Sequence, residues 1–177
     1  MSAQSEPGSR RLVVMRHGKA EPGGETDAER ELSQRGWADC VEAGRWLAGS
    51  GITPDAALVS SARRTTSTWL AVAEGGSFDA EPTYSDGLYS AGPESALDLV
   101  RESPDDVRTL VVVGHNPTMA YLAQLLDDGT GDEESGRAMA TGFPTGALAV
   151  FAVSGRWLEL DLASAGLTAF HVGRAAR

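Results

Sequence analysis

Three short segments carry the residue types that can handle an anionic group: Arg16-His17-Gly18, the run from Ser60 through Arg63 and Arg64 to Thr68, and Gly114-His115-Asn116-Pro117. Arginine offers a planar, permanently charged fork of donors that fits phosphate or carboxylate. Histidine can act as nucleophile, proton carrier, hydrogen-bond donor or metal ligand. Taken singly, each histidine reads more readily as a hydrogen-bonded structural residue than as a catalyst. The neighbouring arginines would repel a divalent cation, which disfavours a two-histidine metal site. Cys40 reads as a core residue, because a Cys-x5-Arg phosphate loop would need arginine where Trp46 stands. No GxxxxGK[ST] loop is present either, so nucleotide-dependent chemistry is not indicated.

Each segment follows an apolar run of strand length. Leu12 to Met15, Ala56 to Ser60 and Thr109 to Val113 read as buried strands. Helical spacing fills the gaps between them. Ser33 caps a helix with apolar Trp37, Cys40, Val41, Leu47 and Ala48; a second helix runs from near Arg64 to about Glu74; a third starts at Pro93-Glu94; a fourth follows Pro117. This alternation predicts a three-layer α/β/α domain with a mainly parallel central sheet. In such sheets ligands bind beyond the carboxyl ends of the strands, where Arg16, His17 and His115 stand. The Gly-rich acidic stretch from Asp127 to Gly142 reads as a mobile surface loop. Ala147 to Val153 and Arg156 to Leu162 read as a C-terminal hairpin turned at Ser154-Gly155. The four tryptophans read as packing residues.

The chain has 177 residues, 41% hydrophobic and 23% charged, which suits one folded domain. We expect that domain over residues 11–170, after a flexible N-terminus at 1–10 and before a short tail at 171–177 holding a solvated His171. A formal charge of -10 repels nucleic acid and anionic membranes, so neither is expected as a partner. Any phosphate site must therefore be a local cluster of cations. The single cysteine fits a reducing compartment, and no secretory h-region or membrane-length apolar run is visible, so a cytoplasmic location is expected.

In order and spacing, the three segments resemble the histidine phosphatase superfamily, also called phosphoglycerate-mutase-like. The run from Leu12 to Ala20, the compact size and the lack of a large inserted cap are most similar to its SixA-type phosphohistidine phosphatase branch. The resemblance implies that His17 attacks phosphorus and is transiently phosphorylated, with Arg16, Arg64 and His115 around the phosphoryl oxygens and no cofactor or metal. Its Ser-x-x-x-Arg-x-x-x-Thr spacing, Ser60 to Thr68, selects Arg64 over Arg63. Lys19 and Arg63 either widen the pocket or are solvated, Ser60 shapes the turn before Arg64, and Asn116 is a further pocket neighbour.

Phosphoryl transfer spreads charge over the equatorial oxygens, so fixed cations and donors are its main requirement. A protonated His115 would add one donor. His17 must be neutral at one nitrogen, with its other N–H held by an acceptor such as a backbone carbonyl. Superfamily members that cleave phosphate esters carry an acid near a Leu-x-Glu segment. Here that segment is Gly87-Leu88-Tyr89-Ser90-Ala91-Gly92, with no acid. Asp86 and Glu94 flank it but read as a turn residue and a helix N-terminal acid. An imidazole leaving group depends less on an enzyme acid than an alkoxide does. The expected substrate is therefore a protein phosphohistidine. The rivals are a phosphomonoesterase for a small phosphorylated metabolite and a catalytically silent phosphate-binding module.

Overall fold

The structure, a computed structural model, describes residues 9–176. Its sheet has six strands: β1 (Ser9–Arg16), β2 (Ala56–Ser60), β3 (Pro82–Ser85), β4 (Thr109–Gly114), β5 (Ala147–Ser154) and β6 (Ala165–Val172), in the order β3-β2-β4-β1-β5-β6. The first four strands in that order run parallel, whereas β5 is antiparallel to β1 and β6 to β5. The helices are α1 (Gln34–Gly49), α2 (Arg63–Gly76), α3 (Asp86–Tyr89), α4 (Pro93–Arg101), α5 (Thr118–Leu126) and α6 (Glu133–Thr141).

Helices cover both faces of the sheet, which is why the central strands are apolar without interruption. Leu12 and Val14 of β1 pack with Leu97, Val100, Leu122 and Leu126 of α4 and α5. Val13 and Met15, facing the other way, pack with Leu47 of α1 and Trp69 and Val72 of α2. α1 and α2 approach closely because Gly44 and Gly75 sit at their contact, where an added Cβ would meet Val72 and Val41 carbonyl oxygens. This is the expected three-layer architecture, with α1 capped by Ser33, whose Oγ accepts from the Gly36 N–H at 2.9 Å.

Several expectations need correction. The first strand already includes Ser9 and Arg10; the rest of the expected flexible start, residues 1–8, lies outside the described residues. The supposed mobile loop contains α6, capped by Asp132, whose carboxylate accepts from the Ser135 N–H at 2.9 Å. Its buried face amounts to Met139, too little to mark a helical period. Arg156 to Leu162 is not the return strand. It holds a 3-10 turn, Trp157–Glu159, and fully buried Trp157 donates its indole N–H to the Val107 carbonyl at 2.8 Å. The return strand is β6, and it carries His171, which is neither in a tail nor free in solvent. The short edge strand β3 and helix α3 were not anticipated. Among the described residues no helix is long and apolar enough to cross a membrane.

Candidate active site

Arg16 ends β1, Gly114 ends β4, and α2 begins just after β2, so the three segments meet at one edge of the sheet. The His17 backbone is fixed from both sides: its N–H donates to the Gly114 carbonyl at 3.0 Å, and its carbonyl accepts from the Gly146 N–H at 3.0 Å. Gly18 is needed for contact, since a Cβ there would lie 2.6 Å from Cys40 Sγ on α1. Its N–H donates to Thr68 Oγ1 at 3.0 Å, and that hydroxyl donates to the Arg64 carbonyl at 2.7 Å, one helical turn back. The Arg64-to-Thr68 spacing is thus the helical step that ties α2 to the loop bearing His17.

The His17 ring lies with Nδ1 2.7 Å from the Gly18 carbonyl. A carbonyl only accepts, so Nδ1 carries the proton and Nε2 keeps its lone pair. Burial, followed by the charges of Arg64, Arg16 and Arg30, pushes the ring's pKa down to about 4, against the raising effect of that carbonyl. His17 is therefore neutral at physiological pH, with a backbone acceptor for its Nδ1 proton.

His115 faces it, ring centroids 5.4 Å apart. Burial first and Arg64 second push His115 down to about 4 as well, so the expected protonated His115 is corrected to a neutral ring. Its Nε2 lies 2.7 Å from Oγ of fully buried Ser60. That hydroxyl, at the end of β2, faces the second histidine and so does more than shape a turn. With Ser60 donating to Nε2, the ring proton sits on Nδ1, giving a neutral donor.

Arg64 is buried, whereas Arg63 points outward and pairs with Glu31 at 3.2 Å. Arg16 donates from Nη1 to the Phe143 carbonyl at 3.2 Å, and Asn116 donates to the same oxygen at 2.8 Å while accepting from the Ala120 N–H at 3.3 Å. Asn116 thus braces the loop before β5. Lys19 is exposed, and its main-chain oxygen accepts from Ser33. Three buried donors of the site, Nε of Arg16, Nε of Arg64 and Nδ1 of His115, have no hydrogen-bond partner; the only other such side-chain atom among the described residues is Nε of Arg10, near Trp157.

Three further residues reach the site unannounced by the sequence. Asp27, in the 3-10 turn Asp27–Glu29, accepts from Arg64 twice: its main-chain oxygen from Nη1 at 2.7 Å and its carboxylate from Nη2 at 2.9 Å. The Tyr89 hydroxyl donates to the same carboxylate at 2.5 Å, and the Tyr89 ring stands edge-on to His115. Arg30 donates to Asp27 at 3.2 Å. The Tyr89 hydroxyl and Arg64 hold the Asp27 carboxyl well below the usual carboxylate range. Asp86 and Glu94, at the starts of α3 and α4, make no hydrogen bond to the site. Tyr89 lies where an acid was sought, but Asp27 sits in a charged run that gives no signal of its own.

No family model matches the chain. An uncharacterised protein of Mycobacterium tuberculosis is 38% identical over 162 residues, spanning 90% of this chain and all of its own. A solved structure from Nakamurella multipartitia, provisionally named phosphohistidine phosphatase SixA, is 31% identical with a TM-score of 0.82, covering 93% of this chain and 96% of its own. A second, from Agrobacterium tumefaciens and named in the same provisional way, is 31% identical with a TM-score of 0.71, covering 84% of this chain and 94% of its own. The sequence likeness and the shared fold together place the chain in the histidine phosphatase superfamily, among its SixA-like members.

Proposed function

We propose that this phosphatase hydrolyses protein phosphohistidine through a phosphorylated His17, without a metal ion. The observation that carries the reading is the His17 ring: Nδ1 is committed to the Gly18 carbonyl, so the Nε2 lone pair is available beside buried arginine and histidine donors that lack any protein acceptor. Three phosphoryl oxygens would satisfy those donors.

In the first step the His17 Nε2 lone pair forms a bond to phosphorus. The substrate's P–N bond breaks, and its electron pair returns to the departing ring nitrogen. Arg16 and Arg64 offset the charge on the equatorial oxygens, and His115 donates from Nδ1 as a neutral group. In the second step water attacks phosphorus, the bond to His17 breaks, and its electron pair returns to Nε2. Phosphate departs with both protons of the water. Throughout, Nδ1 keeps its proton and donates it to the Gly18 carbonyl, so His17 regenerates in the tautomer it started in.

The test is a specificity panel at one pH, comparing kcat/KM for a phosphohistidine peptide with that for glycerol phosphate, together with an alkaline quench during turnover. We expect the P–N substrate to be strongly preferred, label to be trapped on His17, and activity to survive chelation. If an alkyl phosphate is the best substrate, the enzyme is a phosphomonoesterase for a metabolite. Phosphate binding without any turnover would make it a binding module. Activity lost to chelation and restored by a divalent ion would return the metal reading.

A further inference from the structure

A carboxylate at the rim of a phosphate pocket opposes the substrate it must admit. Asp27 takes both terminal nitrogens of Arg64 and adds a negative charge beside the incoming phosphoryl group. Arg64 would still be anchored by the Asp27 main-chain oxygen without that charge. The carboxylate is costly unless the substrate also brings a cation.

We propose that Asp27 accepts a hydrogen bond from the leaving imidazole and so suits this pocket to P–N bonds; the inference rests on the phosphohistidine reading above. The placement fits. His17 and Arg64 are buried, while the Asp27 side chain is 53% exposed, on the solvent side of Arg64. In-line displacement puts the leaving group opposite the nucleophile, hence toward this mouth. Tyr89 and Arg64 fix one carboxylate oxygen, at 2.5 and 2.9 Å, and the other meets only Arg30, at 3.2 Å, leaving a lone pair for a ligand. The same partners keep Asp27 ionised, so it is an acceptor and not a proton donor.

The reactive form of phosphohistidine carries a proton on the ring nitrogen remote from phosphorus. Asp27 accepts from that N–H and favours this form. When the P–N bond breaks, its electron pair neutralises the ring, which leaves as imidazole with the proton still on its remote nitrogen. No proton crosses to the enzyme. An alkyl phosphate brings no such cation and meets only the repulsion.

The experiment compares wild type with Asp27→Asn on a phosphohistidine peptide and on 4-nitrophenyl phosphate, with inorganic phosphate as a competitive inhibitor. Loss of a hydrogen bond to a charged group predicts a fall on the order of tenfold to a hundredfold in kcat/KM for the peptide. The aryl phosphate should lose far less than the peptide, and inorganic phosphate should bind more tightly, which also shows that the variant folds. The alkaline limb of the peptide's pH profile should move to lower pH in the variant, since the substrate ring then loses its proton more easily. Tyr89→Phe loosens the carboxylate but keeps its charge, so it should lower kcat/KM for the peptide by less and should not tighten phosphate binding. Equal losses on both substrates would reduce Asp27 to a positioner of Arg64 and overturn the proposal. A wild type that does not prefer the peptide over glycerol phosphate overturns instead the phosphohistidine reading on which it rests.

Discussion

Two clusters in this molecule use the same residue types to opposite ends. One is the pocket of Arg16, His17, Arg64 and His115. The other lies where β6 and the C-terminal residues cross α1, and it holds His171, Arg174, Arg35, Glu42 and Asp39. There each basic side chain meets a carboxylate: His171 Nε2 is 3.0 Å from Glu42, and Arg174 and Arg35 are 3.6 and 3.8 Å from Asp39. Glu42 and Asp39 also accept the N–H groups of Arg174 and Ala175, and His171 stacks on Trp46 with centroids 4.5 Å apart. In the pocket the balance is reversed. Cations outnumber the one carboxylate at the rim, both histidines are forced neutral, and three buried donors lack an acceptor. Buried donors without acceptors cost stability and are kept rare in folded proteins. Histidine and arginine therefore do not mark the site by themselves; a surplus of donors and positive charge does.

The sharpest break of that contrast is His17→Ala. It should abolish turnover and the alkali-stable phosphoenzyme, measured by rapid quench, whereas the counterpart His171→Ala should retain both. Full activity in His17→Ala would remove the nucleophile from the proposal.

Next in size is the pair of adjacent arginines. Arg64→Ala should lower kcat/KM by on the order of a hundredfold or more, the usual effect of removing a transition-state donor. Arg63→Ala should change it little, because Arg63 faces solvent and pairs with Glu31. Equal losses would mean that the charge of α2's first turn matters more than its aim.

This register was legible in the sequence, and the reason is physical. The resemblance's Ser-x-x-x-Arg-x-x-x-Thr pattern picks Arg64, and that pattern has a physical basis here, since Arg64 and Thr68 are one turn apart on a helix that packs against the loop of His17. The strands β1, β2 and β4 were legible because both faces are buried, which writes an unbroken apolar run. The return strand was misplaced for the same reason in reverse: Trp157 and Leu160 bury themselves from a 3-10 turn and its end and so imitate a strand. True β6 is Gly- and Thr-containing and largely half-exposed. Asp27 and Tyr89 were invisible because they meet across 62 positions, through a turn and a one-turn helix that no periodicity announces.

A smaller effect separates the clusters by pH. Both pocket histidines titrate near 4 in the folded chain against an ordinary value of 6.5. Above 6.5 they are neutral whether folded or not and contribute no pH dependence. Between 6.5 and about 4 the unfolded chain takes up protons that the folded pocket refuses, so stability falls as pH falls. The double variant His17→Gln, His115→Gln should flatten that part of the curve in denaturant titrations without phosphate. Activity should fall as pH drops through about 4, when Nε2 of His17 takes a proton. An unchanged slope in the double variant would show that other groups carry the acid sensitivity.

The smallest expected effect tests the other cluster directly. His171→Ala removes a hydrogen-bonded contact with Glu42 whose side chains are 23% and 30% exposed, together with one aromatic stack. A partly exposed pair and a stacked ring are together worth about 1 kcal/mol. Thermal unfolding should therefore shift by a few degrees at most, with kcat/KM for an aryl phosphate unchanged. Yet the two regions are not insulated, because Arg16, Phe143, Phe170 and His171 line one cavity that runs from Arg16 to β6. A small phosphate ester does not reach along it, but a phosphohistidine presented by another protein has neighbouring residues that could. If His171→Ala raises KM for a protein substrate while sparing the aryl phosphate, the cluster contributes to substrate binding as well as to stability. If both substrates are unaffected, its balanced charges serve only to tie β6 and the residues after it to α1.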